Sequence, residues 1–490
     1  MDASPEEILA LADQLNELAK SVATAQDPKT RKHQTSALVL QAKELIWKVQ
    51  DPYDAAMDHI VNGYTISACL AASKLGIFEA VPPTGTASAK EVAERCNAAE
   101  ELIGRSSFGI GRDYTANLIS VRLMRQLTCV SIFNEVRLGE WAHNRLSIMH
   151  SEHVGAASGK WLYSVSLDEM APAMYRLNHY LERFGNYSLL ETYTETPHSW
   201  YYDMVGKNFW EVMNSSHDRI ENFIRGLGLF DALHPVIAMF PFEEALQQGN
   251  SPNRPLMVDI GGGRGLALLE MRKGCPSLQG ELVLQDRPCV LDDISAEDLP
   301  GVTKMAHDFF QEQPVRNAQV YYIRRVMHDW QDKDAARIMK AILPAMAKDS
   351  RIIISDMAIP EPVTARDAGA IWLDLMMMSI GGKERTVRDW ERLAEMSGLK
   401  LMRVWQEHER FGPLCVVEYM LPDAGQHHFL NTGLDGAQDI HEEEMTTPKL
   451  TPANGEHLAD PCLDGLDPKE VDWESSTVVG DREQSLEPQA

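Results

Sequence analysis

His328 stands in the run RRVMHDW, directly after a stretch, VYYIRRV, that reads as a β-strand. Asp356 closes a later strand, IIISD, and Glu384 lies in GGKERT. An imidazole titrates near ~6.5, so it can take up a proton at neutral pH, whereas a phenol keeps its proton up to ~10. A histidine braced by carboxylates is therefore suited to collecting the proton of a hydroxyl while that oxygen attacks an electrophile. Alone, a histidine after a strand is more often a cap or a surface residue. The two carboxylates change that balance, because strand ends at one sheet edge can converge on the imidazole, orient it and support its cation. Arg324, four residues earlier, points to the same region.

A second group of residues reads as a ligand-binding turn. Asp259-Ile260-Gly261-Gly262-Gly263-Arg264-Gly265 follows the strand PLMVDI and opens the helix LALLEMRKG. Glycines let the backbone turn sharply and approach a ligand without a Cβ clash. A dinucleotide turn is spaced G-x-G-x-x-G. Counted from Gly261, its third glycine falls on Leu266, so a dehydrogenase is disfavoured. The spacing D-x-G-x-G-x-G has no pyrophosphate to cradle, and an acidic strand end suits the cationic, amine-bearing methionine part of S-adenosylmethionine. Asp259, Gly261 and Gly263 are the expected contacts in this turn. Asp286, ending ELVLQD, is placed to accept from both ribose hydroxyls. Asp308 and Phe309, ending the next strand, are placed for the adenine amino group and ring face. A sulfonium is already an activated electrophile, so no metal is required.

These residues need a sheet to hold them. Residues 254–420, within an expected S-adenosylmethionine-binding domain of 241–420, alternate strand and helix, which predicts an α/β fold with a doubly wound, Rossmann-like sheet. KLMRVWQE and CVVEYML are expected to close it as an antiparallel pair. Residues 1–150 read as an N-terminal helical domain. Ser4 and Glu7 form a capping box, Pro5 suits the first helical position, and a second helix is expected over about 34–50. SAKEVAERCNAAEELIGR gives two short helices and LTCVSIFNEVRLGEWAHNRLS a hairpin, the parts of a winged helix. Within it, SSFGIGRDYTANLISV (106–121) breaks the helical period and reads as an insertion or a surface loop. Residues 151–240 are helical, aromatic-rich and expected to line a substrate cavity. Met376, Met377 and Met378 lie near the site in sequence, with core packing favoured for at least two. Residues 421–490 carry 16 acidic against 3 basic residues and lose periodicity, as a disordered acidic tail does.

Bulk composition narrows the classes. The 490 residues carry a formal net charge of −26, which opposes binding to a phosphate backbone. The helix–turn–helix segment AERCNAAEELIGR is itself acid-rich, so DNA is not its partner. Seven cysteines, an odd number with no C-x-x-C pair, indicate neither a disulfide framework nor a zinc site and fit a cytoplasmic setting. No basic, apolar leader opens the chain, and no stretch is long and apolar enough to span a membrane.

VDIGGGRG, LQDRP, HDFF, RRVMHDW, SDMAIPE and GGKERT, in this order, resemble the COMT-type O-methyltransferases of plant phenylpropanoid and fungal secondary metabolism. The resemblance spans about residues 55–420, and AERCNAAEELIGR and GKNFWEVM are most similar to fungal members. It implies His328 as the base, Asp356 and Glu384 as its helpers, and Gly261, Asp286, Asp308, Phe309 and Arg324 as cofactor contacts. It further implies a winged-helix dimerisation domain, a homodimer, and a phenolic or polyketide hydroxyl as acceptor. Asp356 departs from the glutamate common in plant members, so its reach is shorter. Relatives on this scaffold can also hydroxylate, decarboxylate or cyclise, and a non-catalytic binding subunit is a further alternative. The intact His328–Asp356–Glu384 set argues against both.

Overall fold

Short runs of β-branched and aliphatic residues make the central strands. They are β4 (Met257–Ile260), β5 (Leu282–Asp286), β6 (Val302–Ala306), β7 (Val320–Arg324) and β8 (Arg351–Ile359). In the computed structural model, which describes residues 3–98, 122–185, 192–233, 237, 239–409 and 412–422, these strands lie parallel. They precede β9 (Arg385–Thr386), β10 (Lys400–Glu409) and β11 (Gly412–Met420). The sheet order is β10-β11-β8-β7-β4-β5-β6, with β9 pairing β8. β10 and β11 form the expected antiparallel pair, and β11 also runs antiparallel to β8.

Side chains alternate across each strand, and both faces are covered. Val258, Ile260, Tyr321, Ile323, Ile352 and Ile354 pack with helices 332–342 and 387–397. Met257, Leu282, Leu284, Tyr322 and Ile353 pack on the other face with helix 266–274. Each fully buried aliphatic side chain of this kind contributes about 1.5–3 kcal/mol. The result is the α/β doubly wound sheet predicted from the alternating pattern. Winding reverses at β4, with β5 and β6 to one side and β7 and β8 to the other. Such a switch point leaves a crevice at the strands' carboxyl ends, where open α/β sheets bind ligands.

The chain divides into two compact units, one holding residues 65–163 and the other holding 1–64, 164–223 and the sheet. In the first, Ala72, Ile77, Phe78, Val92, Met124, Leu127, Phe133 and Trp141 form the core. Its strands β1 (Ala87–Ser88), β2 (Phe133–Arg137) and β3 (Glu140–His143) form a sheet ordered β1-β3-β2, and β2 and β3 are the expected hairpin. The first helix, Pro5–Thr24, has the Ser4–Glu7 capping box. The second starts earlier than expected, spanning Pro28–Val49, because the Asp27 carboxylate caps it and Pro28 fills its first turn. Met376 and Met377 are core residues, packed with Val165, Met170 and Met357. Residues 106–121, the second short helix after Cys96 and the acidic tail beyond 422 lie outside the described residues.

Candidate active site

β7 ends at Arg324, and the chain must then leave the sheet. Arg325 adopts a left-handed conformation (φ 53°), and its N–H donates to the Ser355 carbonyl on β8 at 3.0 Å. A non-glycine residue held there costs about 1–2 kcal/mol, so the surrounding packing must enforce it. The single 3-10 turn Met327–Asp329 follows and turns His328 into the protein, where it is 5% exposed.

The GGKERT segment closes over that turn. The Lys383 N–H donates to the His328 carbonyl at 2.7 Å. Gly382 is what allows this approach: a Cβ there would sit 2.2 Å from the His328 carbonyl oxygen and 3.0 Å from Asp329 backbone atoms. β9 then pairs with β8 in the register Ala358↔Arg385, which sets Glu384 near Asp356. His328 Nδ1 lies 2.7 Å from Glu384 Oε1 and 3.4 Å from Asp356 Oδ1. The shorter reach of an aspartate at 356 agrees with that longer distance. His328 Nε2 has Asp329 Oδ1 at 3.6 Å.

Charge is concentrated here. Burial favours a neutral imidazole, but the Asp356 and Glu384 carboxylates outweigh it and hold the His328 pKa up at about 10. Burial raises Asp356 to about 6, against the pull of the His328 cation and with the push of Glu384. Asp329 is likewise raised to about 6, chiefly by burial. Asp356 Oδ2 and Glu384 Oε2 are buried without a hydrogen-bond partner. His328, Asp356 and Glu384 are also the one group among the described residues with metal-ligand spacing.

The glycine turn adjoins this cluster. A Cβ on Gly261 would come within 3.0 Å of Val326 Cγ2 and 3.8 Å of Phe309 Cε1, so the turn, the His328 loop and the Phe309 ring meet. Gly262 folds over Asp259, and a Cβ there would lie 2.3 Å from Asp259 Oδ2. The Asp259 carboxylate is 1% exposed, and neither oxygen has a hydrogen-bond partner. Burial raises its pKa to about 7, with the Arg324 guanidinium opposing and Asp286 assisting. Asp286 accepts from the Gly263 N–H at 2.9 Å and the Arg287 N–H at 2.7 Å. Asp308 lies past the strand it was expected to end. β6 stops at Ala306, and Asp308 is an exposed turn residue whose Oδ1 accepts from the Phe310 N–H at 3.0 Å.

Three neighbours were not singled out from the sequence. Asp329 and Trp330, the residues right after His328, line a cleft with Tyr193, Asn208, Phe209, Trp210 and Ile380. The Trp330 indole N–H is buried without a partner there. The third is Arg385, fully buried beside Glu384. The HDW tripeptide was a usable signal for the first two. Arg385 had none, since buried arginines are rare and exposed ones common.

Residues 187–400 match the model of the O-methyltransferase domain. The chain is 33% identical to the O-methyltransferase opaF of Aspergillus ustus over 378 residues, 76% of this chain and 84% of that protein. It is 44% identical to the demethylsterigmatocystin 6-O-methyltransferase stcP of Emericella nidulans over 164 residues, 33% of this chain and 78% of that one. Among solved structures, LepI in complex with SAM superposes with a TM-score of 0.68 at 26% identity, covering 86% of this chain and all of that one. With relatives this similar over most of their length, and a histidine braced beside a glycine turn at the sheet's switch point, the chain belongs to the S-adenosylmethionine-dependent O-methyltransferases of fungal secondary metabolism.

Proposed function

We propose that His328 is the general base that takes the proton from a phenolic hydroxyl as its oxygen is methylated. The observation that carries this reading is the commitment of Nδ1 to Glu384 at 2.7 Å and Asp356 at 3.4 Å. With that nitrogen held, Nε2 is the atom that receives the proton, and the two carboxylates stabilise the imidazolium that results. The Asp356 and Glu384 carboxylates raise its proton affinity above that of a free imidazole, which strengthens the base. The ring accepts the proton from its neutral form, which the positive charge of bound S-adenosylmethionine would favour.

Asp259, Gly261, Gly263, Asp286, Asp308, Phe309 and Arg324 form the cofactor site in this reading. Fit is supported by the buried carboxylate of Asp259, whose oxygens have no hydrogen-bond partner within the protein and whose charge suits an ammonium. When bound, S-adenosylmethionine supplies the electrophilic methyl group and a positive charge that lowers the proton affinity of the nearby imidazole. Phe309 offers a ring face beside the glycine turn, and Asp286 orders that turn through the Gly263 N–H. Tyr193, Phe209, Trp210 and Trp330 give the cleft aromatic walls, which favour a flat aromatic acceptor.

The protein works as a homodimer in this reading. Val39, Ile46, Trp47, Tyr53, Met57, Ile60 and Tyr64 are exposed on helices Pro28–Val49 and Pro52–Leu75, a run of apolar surface of the kind that marks an interface. Residues 1–150 are the winged-helix dimerisation domain, 151–240 the cavity segment, and 241–420 the S-adenosylmethionine-binding domain. Among the described residues no helix is long and apolar enough to cross a membrane. The six cysteines among the described residues are free thiols, which supports a cytoplasmic location.

Replacement of His328 with alanine tests the base. Turnover with a phenolic acceptor should fall about 10²–10⁴-fold, with cofactor affinity preserved. Unchanged methylation by the folded variant, read by product mass spectrometry, would remove His328 from the role.

A further inference from the structure

We propose that Arg385 is a positioning residue for catalysis: its guanidinium forks onto the two carbonyls that flank His328 and thereby sets the imidazole against Glu384. The inference rests on the reading of His328 as the base.

Consecutive residues of one short segment each grip the catalytic turn by a different means. The Lys383 N–H holds the His328 carbonyl at 2.7 Å. The Glu384 side chain holds His328 Nδ1 at 2.7 Å. The Arg385 side chain donates from Nη1 to the Met327 carbonyl at 2.7 Å and from Nη2 to the Trp330 carbonyl at 2.8 Å. Its Nε donates to Asp332 Oδ1 at 3.0 Å, at the start of the helix that follows the turn. Gln331 returns the grip, its amide donating to the Gly381 and Gly382 carbonyls at 3.1 and 3.2 Å. The turn and the GGKER segment are thus tied in both directions.

A guanidinium is a costly way to fill a buried space. Arg385 is fully buried, stacked 5.1 Å from the Trp390 ring, whose own N–H donates to the Met357 carbonyl at 3.1 Å. An apolar side chain would satisfy the packing at lower desolvation cost. What only arginine offers is a rigid planar fork able to hold two carbonyls and a carboxylate together. The carbonyls held are those of residues 327 and 330, one on each side of the His328–Asp329 pair, and the next residue after Glu384 holds them. Moving Arg385 therefore moves both partners of the 2.7 Å contact. Its positive charge also acts on Asp356, which with Glu384 is one of two buried carboxylates crowding the imidazole.

R385Q and R385K separate the fork from the charge, since lysine keeps the cation but cannot span both carbonyls. In both variants kcat should fall about 10–100-fold, the loss expected when a reacting group is displaced by an ångström, while the KM for S-adenosylmethionine stays near that of the wild type. The second readout is the NMR signal of the His328 Nδ1 proton in histidine-labelled full-length enzyme. Its low-field position, set by the short bond to Glu384, should shift upfield or broaden, which a purely stabilising arginine would not cause. R385K carries the test if R385Q does not fold. A folded variant with wild-type kcat and an unmoved proton overturns the proposal, as does a kcat loss with the proton unmoved. A moved proton with unchanged kcat upholds the positioning role and refutes His328 as the base.

Discussion

Asp259→Asn should gain stability relative to the wild type as pH rises in the cofactor-free protein, and should weaken cofactor binding. The Asp259 carboxylate is 1% exposed with both oxygens unpartnered, and its pKa is raised from 3.8 to about 7. A raised folded-state pKa means that between these two values the folded protein binds a proton the unfolded chain does not. Its contribution to stability is full below the lower value and is lost as pH rises through the upper one. The total over that interval is about 4 kcal/mol, an upper bound for a fully buried group. Asparagine cannot ionise, so it escapes the loss. Its own unpartnered amide costs something, but that cost does not vary with pH. The stability difference between D259N and wild type should therefore grow by about 3 kcal/mol between pH 5 and pH 8, whatever its absolute value. Cofactor binding should show the opposite sign. Removing one partner of a buried ion pair costs about 3–5 kcal/mol, which is ~10²–10⁴-fold in Kd. Denaturant titrations of the cofactor-free proteins at both pH values, with calorimetry of S-adenosylmethionine binding, measure both effects. A stability difference that does not change with pH, or an unchanged Kd, would refute the assignment of Asp259 as an unsatisfied anion awaiting the ligand's ammonium.

Gly382→Ala places a methyl 2.2 Å from the His328 carbonyl oxygen and 3.0 Å from Asp329 backbone atoms, so the segment itself must move. Stability should drop by about 1–3 kcal/mol, and kcat should fall by at least ~10-fold as the Glu384–His328 contact opens; wild-type kinetics in this variant would show that the close approach is dispensable. The homodimer predicts a sedimenting species of twice the 54.9 kDa chain, and Tyr53→Glu with Ile60→Glu should convert it to monomer. A monomeric wild type at micromolar concentration would end that reading.

Much of the site could be read from local pattern. The strand–glycine–helix run placed Gly261–Gly265 correctly, because a turn with φ of +69° at Gly261 and +75° at Gly265 leaves few residue types able to occupy it. His328, Asp356 and Glu384 could be proposed together, because parallel strands in an alternating α/β chain run toward the same edge. Asp356 does not close its strand as expected, since β8 continues to Ile359 through its pairing with β9 and β11. The amphipathic helices and the antiparallel closing pair followed from period and capping alone. The end of β6 was expected two residues late, at Asp308, because it is set by pairing with β5, which stops at Asp286↔Ala306, and not by any residue in the HDFF run. Arg385 was invisible for a deeper reason. Its role comes from the β8–β9 register and from carbonyls more than fifty residues away, and a backbone carbonyl leaves no trace in residue type. What the sequence determined by itself was which groups could do chemistry and on which edge they would stand. Which nitrogen of His328 is held, how far each carboxylate lies from it, and that Asp259 is left without a partner were decided only by tertiary packing, because those depend on distances between segments that no local preference encodes.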